Sequence, residues 1–173
     1  MDDESLIGLA KKARAHAYVP YSGFAVGAAA LAPDGRVFLG CNIENASYGL
    51  TNCAERTAIF SAVAAGVQRF AALAVVADGE SPCSPCGACR QVIAEFAVER
   101  ILLANLAGKS RVVTKEELLP FAFALEEKSL PPDGRQGFLH DAAVLPHDPC
   151  KDDRRGAQGA EGCRRINPRF SAP

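Results

Sequence analysis

Three cysteines and one glutamate in the first two-thirds of the chain have the types and spacing of a catalytic metal centre. Cys86 and Cys89 are three residues apart at the expected start of a helix, so both sulfurs project to one side of its first turn. Cys53 opens a second expected helix, and Glu55 follows it by two residues. Catalytic zinc takes three protein ligands and keeps a fourth position for water. We therefore predict that the three cysteines bind one Zn2+.

Glu55 is the predicted catalytic residue. Zinc lowers the pKa of a bound water towards about 7, and a neighbouring carboxylate can take that proton and return it to a reacting group. Hydrolytic removal of the amino group from a cytosine ring needs this combination. A three-cysteine zinc site with a glutamate that is not a ligand is a known pattern for such chemistry.

Cys83 leaves one alternative for the metal centre. With a fourth cysteine the site would be closed, as structural zinc sites usually are. However, Cys83 lies two residues before Pro85, so its backbone is expected to be extended and directed away from the helix start. A closed site also gives Glu55 no role. An iron–sulfur cluster fits less well, because the other cysteines have no ferredoxin spacing.

Two arginines directly follow proposed site residues. Three thiolates carry more negative charge than Zn2+ neutralises, which weakens the metal as a Lewis acid, so a positive group is expected next to the sulfurs. Arg56 is expected to hydrogen-bond a cysteine sulfur, and Arg90 is the second candidate for this supporting role. The alternative for both is an arginine on a solvated helix face.

Composition excludes several other classes of protein. The chain has 173 residues, 49% hydrophobic and 23% charged, which predicts one domain with or without an appendage. A net charge of -1 disfavours nucleic acid and anionic membranes as partners, and no apolar run is long enough to cross a bilayer. The acidic N-terminus argues against a secretory signal, so a cytoplasmic location is expected. Seven cysteines without such a signal predict metal binding rather than disulfides.

Local patterns predict one β-hairpin followed by alternating helices and strands, which is typical of a mixed sheet with helices packed on it. Pro33 to Gly35 form the hairpin turn, and Thr114 with Glu117 offers a capped helix start. The predicted helices cover residues 3–17, 53–65 and 86–96, with a short one starting near 114; the predicted strands cover 24–31, 37–39, 71–77, 101–104 and 111–113; residues 41–52 and 78–85 are predicted loops.

The character of the sequence changes after residue 125. Residues 126–173 are rich in Pro, Gly, Asp and Arg, with few aliphatic side chains and no regular period. We predict a catalytic domain over residues 1–125 and a tail over 126–173 that is disordered or loosely packed.

Five longer segments resemble the small, homotetrameric cytidine deaminases, and they occur in order from about residue 4 to about residue 125. The segments are residues 18–28, 40–48, 53–58, 85–92 and 118–123. The resemblance implies a three-layer α/β/α sandwich with a mixed central sheet of about five strands. It also implies one Zn2+ per subunit and deamination of cytidine and 2′-deoxycytidine in pyrimidine salvage.

The resemblance implies that Asn42 and Glu44 bind the ribose hydroxyls of the substrate. In an extended segment, positions two apart face the same side, and a carboxylate with an amide suits a vicinal diol. Ordinary loop polarity is the alternative. Because Glu44 is acidic and no basic cluster lies beside it, we expect a free nucleoside as substrate, rather than a 5′-phosphate or a polynucleotide.

Further roles also follow from the resemblance alone. Phe24 is expected to pack on the pyrimidine, with a core phenylalanine as the alternative. Ala54 is expected to offer its backbone to the base, while Asn45 and Tyr48 lie in the substrate loop with less defined roles. Phe123 is expected to reach a neighbouring subunit's active site, with core packing as the alternative. Two other functions stay open: deamination of a cytosine-containing antibiotic nucleoside, and a non-catalytic, zinc-stabilised structural protein.

Overall fold

The computed structural model describes residues 1–124, which form a five-stranded mixed sheet with helices on both faces. The helices are α1 (Asp3–Arg14), α2 (Ala54–Ala64), α3 (Gly87–Glu95) and the short α4 (Lys115–Leu118), and the strands are β1 (Val26–Leu31), β2 (Val37–Cys41), β3 (Ala72–Ala77), β4 (Ile101–Asn105) and β5 (Ser110–Val113). The predicted tail over residues 126–173 lies outside the described residues, so the domain boundary near residue 125 stays a prediction.

The strand order is β2-β1-β3-β4-β5. Three neighbouring pairs are antiparallel, and β3 with β4 is parallel because α3 connects them. Every residue of β1, β3 and β4 is buried. Burial on both faces explains why these strands are continuous apolar runs rather than alternating ones.

The two faces of the sheet carry separate apolar clusters. On one face, Ala29 and Leu31 of β1 pack with Leu6 and Ala10 of α1. On the other, the even-numbered residues of β1 pack with side chains of α2 and α3, among them Ile59 and Ile93. Successive strand residues alternate between these layers. The predicted three-layer α/β fold with about five strands is confirmed.

Every predicted helix and strand is present, and their boundaries differ from the prediction by up to three residues. The first helix ends at Arg14 rather than residue 17, because Ala15, His16 and Ala17 donate their N–H groups three residues back and tighten the chain into a turn. The first strand starts at Val26 rather than Phe24. The Asn42 side chain, and not a neighbouring strand, hydrogen-bonds the Val26 N–H and the Phe24 carbonyl. None of the helices within residues 1–124 is long and apolar enough to cross a membrane.

Candidate metal centre and active site

Two helix N-termini bring the three predicted cysteine ligands together. Cys53 is the N-cap of α2 and Cys86 the N-cap of α3, both in extended backbone, and Cys89 lies in the first turn of α3. The three sulfurs all lie within 4.8 Å of one another, and the Cys53 and Cys86 sulfurs are 3.8 Å apart. The positive ends of both helix dipoles face the sulfurs, which favours thiolates.

The sulfur geometry fits a zinc ion. Tetrahedral zinc with Zn–S bonds of about 2.3 Å separates its sulfur ligands by about 3.8 Å, which matches the Cys53–Cys86 distance of 3.8 Å. Cys83 is not a member of the three-cysteine group. Its side chain packs against the apolar core, its N–H donates to the Ala104 carbonyl over 3.1 Å, and burial raises the pKa of its thiol to about 11. The cluster among the described residues thus consists of three sulfurs, and Cys83 does not close it.

The cysteines share their protons unequally. Hydrogen bonds from the Cys89 thiol, from Arg56 and from Cys86 together lower the pKa of Cys53 to about 5, although burial opposes them. The same hydrogen bond to Cys53, together with burial, raises the pKa of Cys89. This hydrogen bond therefore favours the thiolate at Cys53 and the proton at Cys89, and a metal ion that binds all three sulfurs must displace that proton.

Glu55 is buried directly beside this cluster. Its side chain is in the first turn of α2 and the residue is 4% exposed, which makes it the one buried carboxylate among residues 1–124. Burial raises the pKa of this carboxyl, and the negative charge of Cys53 adds to the effect. Raising the pKa of a carboxyl group makes it a better proton acceptor near neutral pH, which suits a group that must accept and return a proton.

The two arginines have different surroundings. Arg56 donates from Nη2 to the Cys53 sulfur over 3.5 Å and to the Thr51 carbonyl over 3.2 Å. Arg90 donates to the Pro85 and Leu118 carbonyls and the Ser84 hydroxyl, each over 2.9 Å, and its hydrogen bonds within the described residues include no sulfur. Arg90 therefore ties down the loop before Cys86 rather than contacting the cluster.

The predicted sugar-binding pair belongs to a segment held by its own hydrogen bonds. The Asn42 side chain accepts from the Val26 N–H and donates to the Phe24 carbonyl, both over 2.8 Å. Glu44 Oε2 accepts from the N–H groups of Tyr21 and Ser22, over 2.9 and 3.2 Å. The Ser22 hydroxyl and the Tyr21 amide lower the pKa of Glu44, so its carboxyl is ionised. Within residues 1–124, both of these N–H groups donate to Oε2, and no hydrogen bond reaches the second oxygen, Oε1.

The backbone of this segment is clamped on both sides, which the sequence did not reveal because residues 41–52 have no strand pattern. Ile43 exchanges two backbone hydrogen bonds with Asn52, over 2.9 and 3.0 Å. On its other side, the Tyr18 N–H donates to the Asn42 carbonyl and the Glu44 N–H donates to the Tyr18 carbonyl. The segment therefore has a defined distance from Cys53, the residue that follows Asn52.

Aromatic side chains are exposed near this segment. Phe24 is 49% exposed, so it is not the core residue that the alternative required. Tyr48 is 73% exposed and makes an edge-to-face contact with Tyr21 at 5.9 Å. Glu44 and both tyrosines, with Ser22 and Thr51, line an open cavity of about 360 Å3.

The other predicted contact residues also have defined places. Ala54 is fully buried as the first residue of α2. Asn45 shapes the loop, because its side chain accepts from the Ser47 N–H over 2.8 Å. Phe123 is 71% exposed, and its carbonyl accepts a 2.8 Å hydrogen bond from the Gln91 side chain. Core packing of Phe123 is thus excluded in the single chain.

Fold and site together define an α/β protein with a cluster of three cysteine sulfurs and an adjacent buried carboxyl group. The family described as cytidine and deoxycytidylate deaminase zinc-binding region matches residues 1–105. The cytidine deaminase of Sporosarcina psychrophila is 60% identical over 131 residues, which cover 75% of this chain and 96% of that protein. The cytidine deaminase of Halalkalibacterium halodurans is 57% identical over 129 residues, covering 73% of this chain and 98% of that protein.

Solved structures agree with the sequence comparison. The crystal structure of cytidine deaminase from Burkholderia pseudomallei has a TM-score of 0.70 and 55% identity, and the match covers 71% of this chain and 100% of that one. The crystal structure of cytidine deaminase from Mycobacterium tuberculosis has a TM-score of 0.63 and 48% identity, covering 72% and 99% of the two chains. This chain belongs to the cytidine and deoxycytidylate deaminase family.

Proposed function

We propose that this protein catalyses the zinc-dependent hydrolytic deamination of cytidine and 2′-deoxycytidine to uridine and 2′-deoxyuridine. The observation that carries the proposal is the buried Glu55 carboxyl beside three cysteine sulfurs, with its pKa raised by burial. A purely structural metal site gains nothing from this costly buried carboxyl group. Relatives that align over nearly their full length are named cytidine deaminases.

Cys53, Cys86 and Cys89 are the proposed ligands of one Zn2+ per subunit. When bound, zinc supplies the Lewis acid that makes water a nucleophile at neutral pH. The Glu55 carboxylate accepts a proton from the attacking water and passes it to N3 of the cytosine ring. The water oxygen bonds to C4, the bond from C4 to the exocyclic nitrogen breaks, and a second proton moved by Glu55 lets that nitrogen leave as ammonia.

Arg56 is proposed to keep an all-thiolate centre electrophilic. Its guanidinium donates to the Cys53 sulfur, so it withdraws negative charge from that ligand. Three thiolates carry one more negative charge than Zn2+ neutralises, and the Arg56 guanidinium offsets it. Groups that hydrogen-bond to the ligands in this way change the Lewis acidity of the metal. Arg90 supports the site differently, because it holds the loop before Cys86.

The proposed substrate is a free nucleoside. The amide of Asn42 and the free oxygen of the ionised Glu44 are suited to the ribose hydroxyls. Phe24 is exposed and can stack on the pyrimidine, and the Ala54 backbone is proposed to contact the base. A 5′-phosphate next to the Glu44 carboxylate meets like-charge repulsion, which disfavours nucleotides and nucleic acid.

The proposed assembly is a homotetramer. Phe24, Tyr48 and Phe123 are 49%, 73% and 71% exposed in the single chain, although large aromatic side chains favour burial. Burial of Phe123 at a neighbouring subunit's active site would account for its exposure in the single chain. Asn45 and Tyr48 both belong to the substrate loop. A cytoplasmic location and a role in pyrimidine salvage remain expectations.

The direct test is the fall in absorbance that follows conversion of cytidine to uridine. We expect activity on cytidine and 2′-deoxycytidine, its loss on chelation, and its return with Zn2+. Equal rates on dCMP or single-stranded DNA would contradict the nucleoside assignment. A zinc-loaded protein without activity on either nucleoside would contradict the enzyme assignment. Native mass spectrometry checks the tetramer and the zinc count.

A further inference from the structure

Gly40 in β2 allows the strand backbone to lie directly on the first turn of α2. A Cβ atom at Gly40 would lie 2.4 Å from the Ala54 carbonyl oxygen and 2.4 Å from the Ala58 nitrogen. Both neighbours are backbone atoms of α2, so neither can move without the helix. Glycine at this position thus sets how closely β2 approaches the helix that carries Cys53 and Glu55.

A second connection runs through Thr57, on the next turn of α2. Its hydroxyl accepts from the Asn52 side-chain amide over 3.0 Å and donates to the Cys53 carbonyl over 3.1 Å. Asn52 is the residue whose backbone pairs with Ile43. Hydrogen bonds therefore lead from the sugar-binding segment to the backbone of a proposed zinc ligand.

We propose that Gly40 and Thr57 are positioning residues that set the distance between the sugar-binding segment and the first turn of α2. Gly40 acts by close contact, since the chain runs from it into the sugar-binding segment two residues later. Thr57 acts through hydrogen bonds at the other end of that segment. This inference rests on the proposed function, because it concerns where a bound nucleoside stands relative to Glu55 and the metal.

The size of the expected effect follows from the contact distances. Ordinary van der Waals contact for a Cβ atom begins at 3.4 Å, and the atoms at Gly40 stand at 2.4 Å, so a methyl group requires a shift of about 1 Å. A misplacement of about 1 Å between substrate and catalytic groups can cost about 100-fold in rate. We therefore expect Gly40→Ala to lower kcat per bound zinc about 100-fold, with KM changed less than about threefold.

Gly27 offers a matched control on the opposite face of the sheet. A Cβ atom there would lie 2.1 Å from the Ala10 carbonyl oxygen and 2.5 Å from the Arg14 nitrogen, both in α1. Gly27→Ala is therefore at least as crowded, but it moves a helix without site residues. We expect it to lower thermal stability as much as Gly40→Ala does, while kcat per bound zinc stays within about threefold of wild type.

Thr57→Val tests the second connection without crowding, so it decides the proposal even if Gly40→Ala does not fold. Val keeps the branched shape and removes both hydrogen bonds, and we expect kcat to fall about 10-fold. Ser61→Ala is its control, because the Ser61 hydroxyl makes the same kind of bond, to the Thr57 carbonyl over 2.7 Å, one turn further from the site. We expect no change in kcat for Ser61→Ala.

The Co2+-substituted protein supplies a measurement that is independent of activity. Its visible spectrum reports the arrangement of the three thiolates, and Gly40→Ala displaces Cys53 relative to α3. We expect shifted bands in Gly40→Ala and wild-type bands in Gly27→Ala. Equal kinetics and spectra in these two variants, or equal kcat values in Thr57→Val and Ser61→Ala, would overturn the positioning role. An inactive, zinc-loaded wild-type protein would overturn the proposed function instead.

Discussion

Replacing Arg56 with Gln removes the positively charged guanidinium that donates a hydrogen bond to the Cys53 sulfur. The donor nitrogen and the sulfur are 3.5 Å apart, where two unit charges attract by at most about 5 kcal/mol at an effective dielectric constant of 20. A hydrogen bond to a charged group contributes about 1.5–3 kcal/mol net. If the variant loses about 2 kcal/mol of transition-state stabilisation, which lies within this range, kcat falls about 30-fold.

The assay is steady-state deamination of cytidine by protein whose zinc content has been measured, so that lost metal is not mistaken for lost turnover. Arg56→Lys should recover part of the activity, because it keeps the positive charge without the guanidinium geometry. Arg36→Gln is the control, since Arg36 is an exposed arginine that pairs with Asp34 in the β1–β2 turn. Unchanged kcat in zinc-replete Arg56→Gln protein would refute the charge argument.

Three further results are expected. Glu55→Gln should lower kcat by about 100-fold to 10,000-fold with zinc retained, because an amide cannot transfer protons; near-normal turnover would exclude Glu55 as the proton carrier. Cys83→Ala should leave zinc content and kcat unchanged, as its sulfur is outside the cluster, and loss of zinc from this variant would indicate a four-cysteine site. Zinc affinity should rise between about pH 6 and pH 8, since the raised pKa of Cys89 means that a proton must leave on binding; competition with a chelator of known pH dependence measures this, and a flat profile would contradict the assigned protonation.

The helices of the site were predictable because their signals are local. Cys86 and Cys89 occupy one turn, and the N-terminal positions of α2 and α3 were evident from sequence. The buried strand β3 was evident as an unbroken apolar run. The pairing of residues 42–44 with Tyr18 and Asn52 was not predictable, because it is made by backbone groups that every residue type except proline carries.

By itself, the sequence determined which residue types were available for zinc and proton transfer, since their spacing within a helix turn is set by the 3.6-residue period. Tertiary structure alone decided which groups meet. Packing of α2 and α3 on the same face of the sheet brings Cys53 to Cys86, 33 residues away, while Cys83, three residues from Cys86, stays outside the cluster. It likewise directs Arg56 to the sulfur and Arg90 to the loop. The reason is that distances between separate elements depend on how the whole core packs, including the close approach that Gly40 permits.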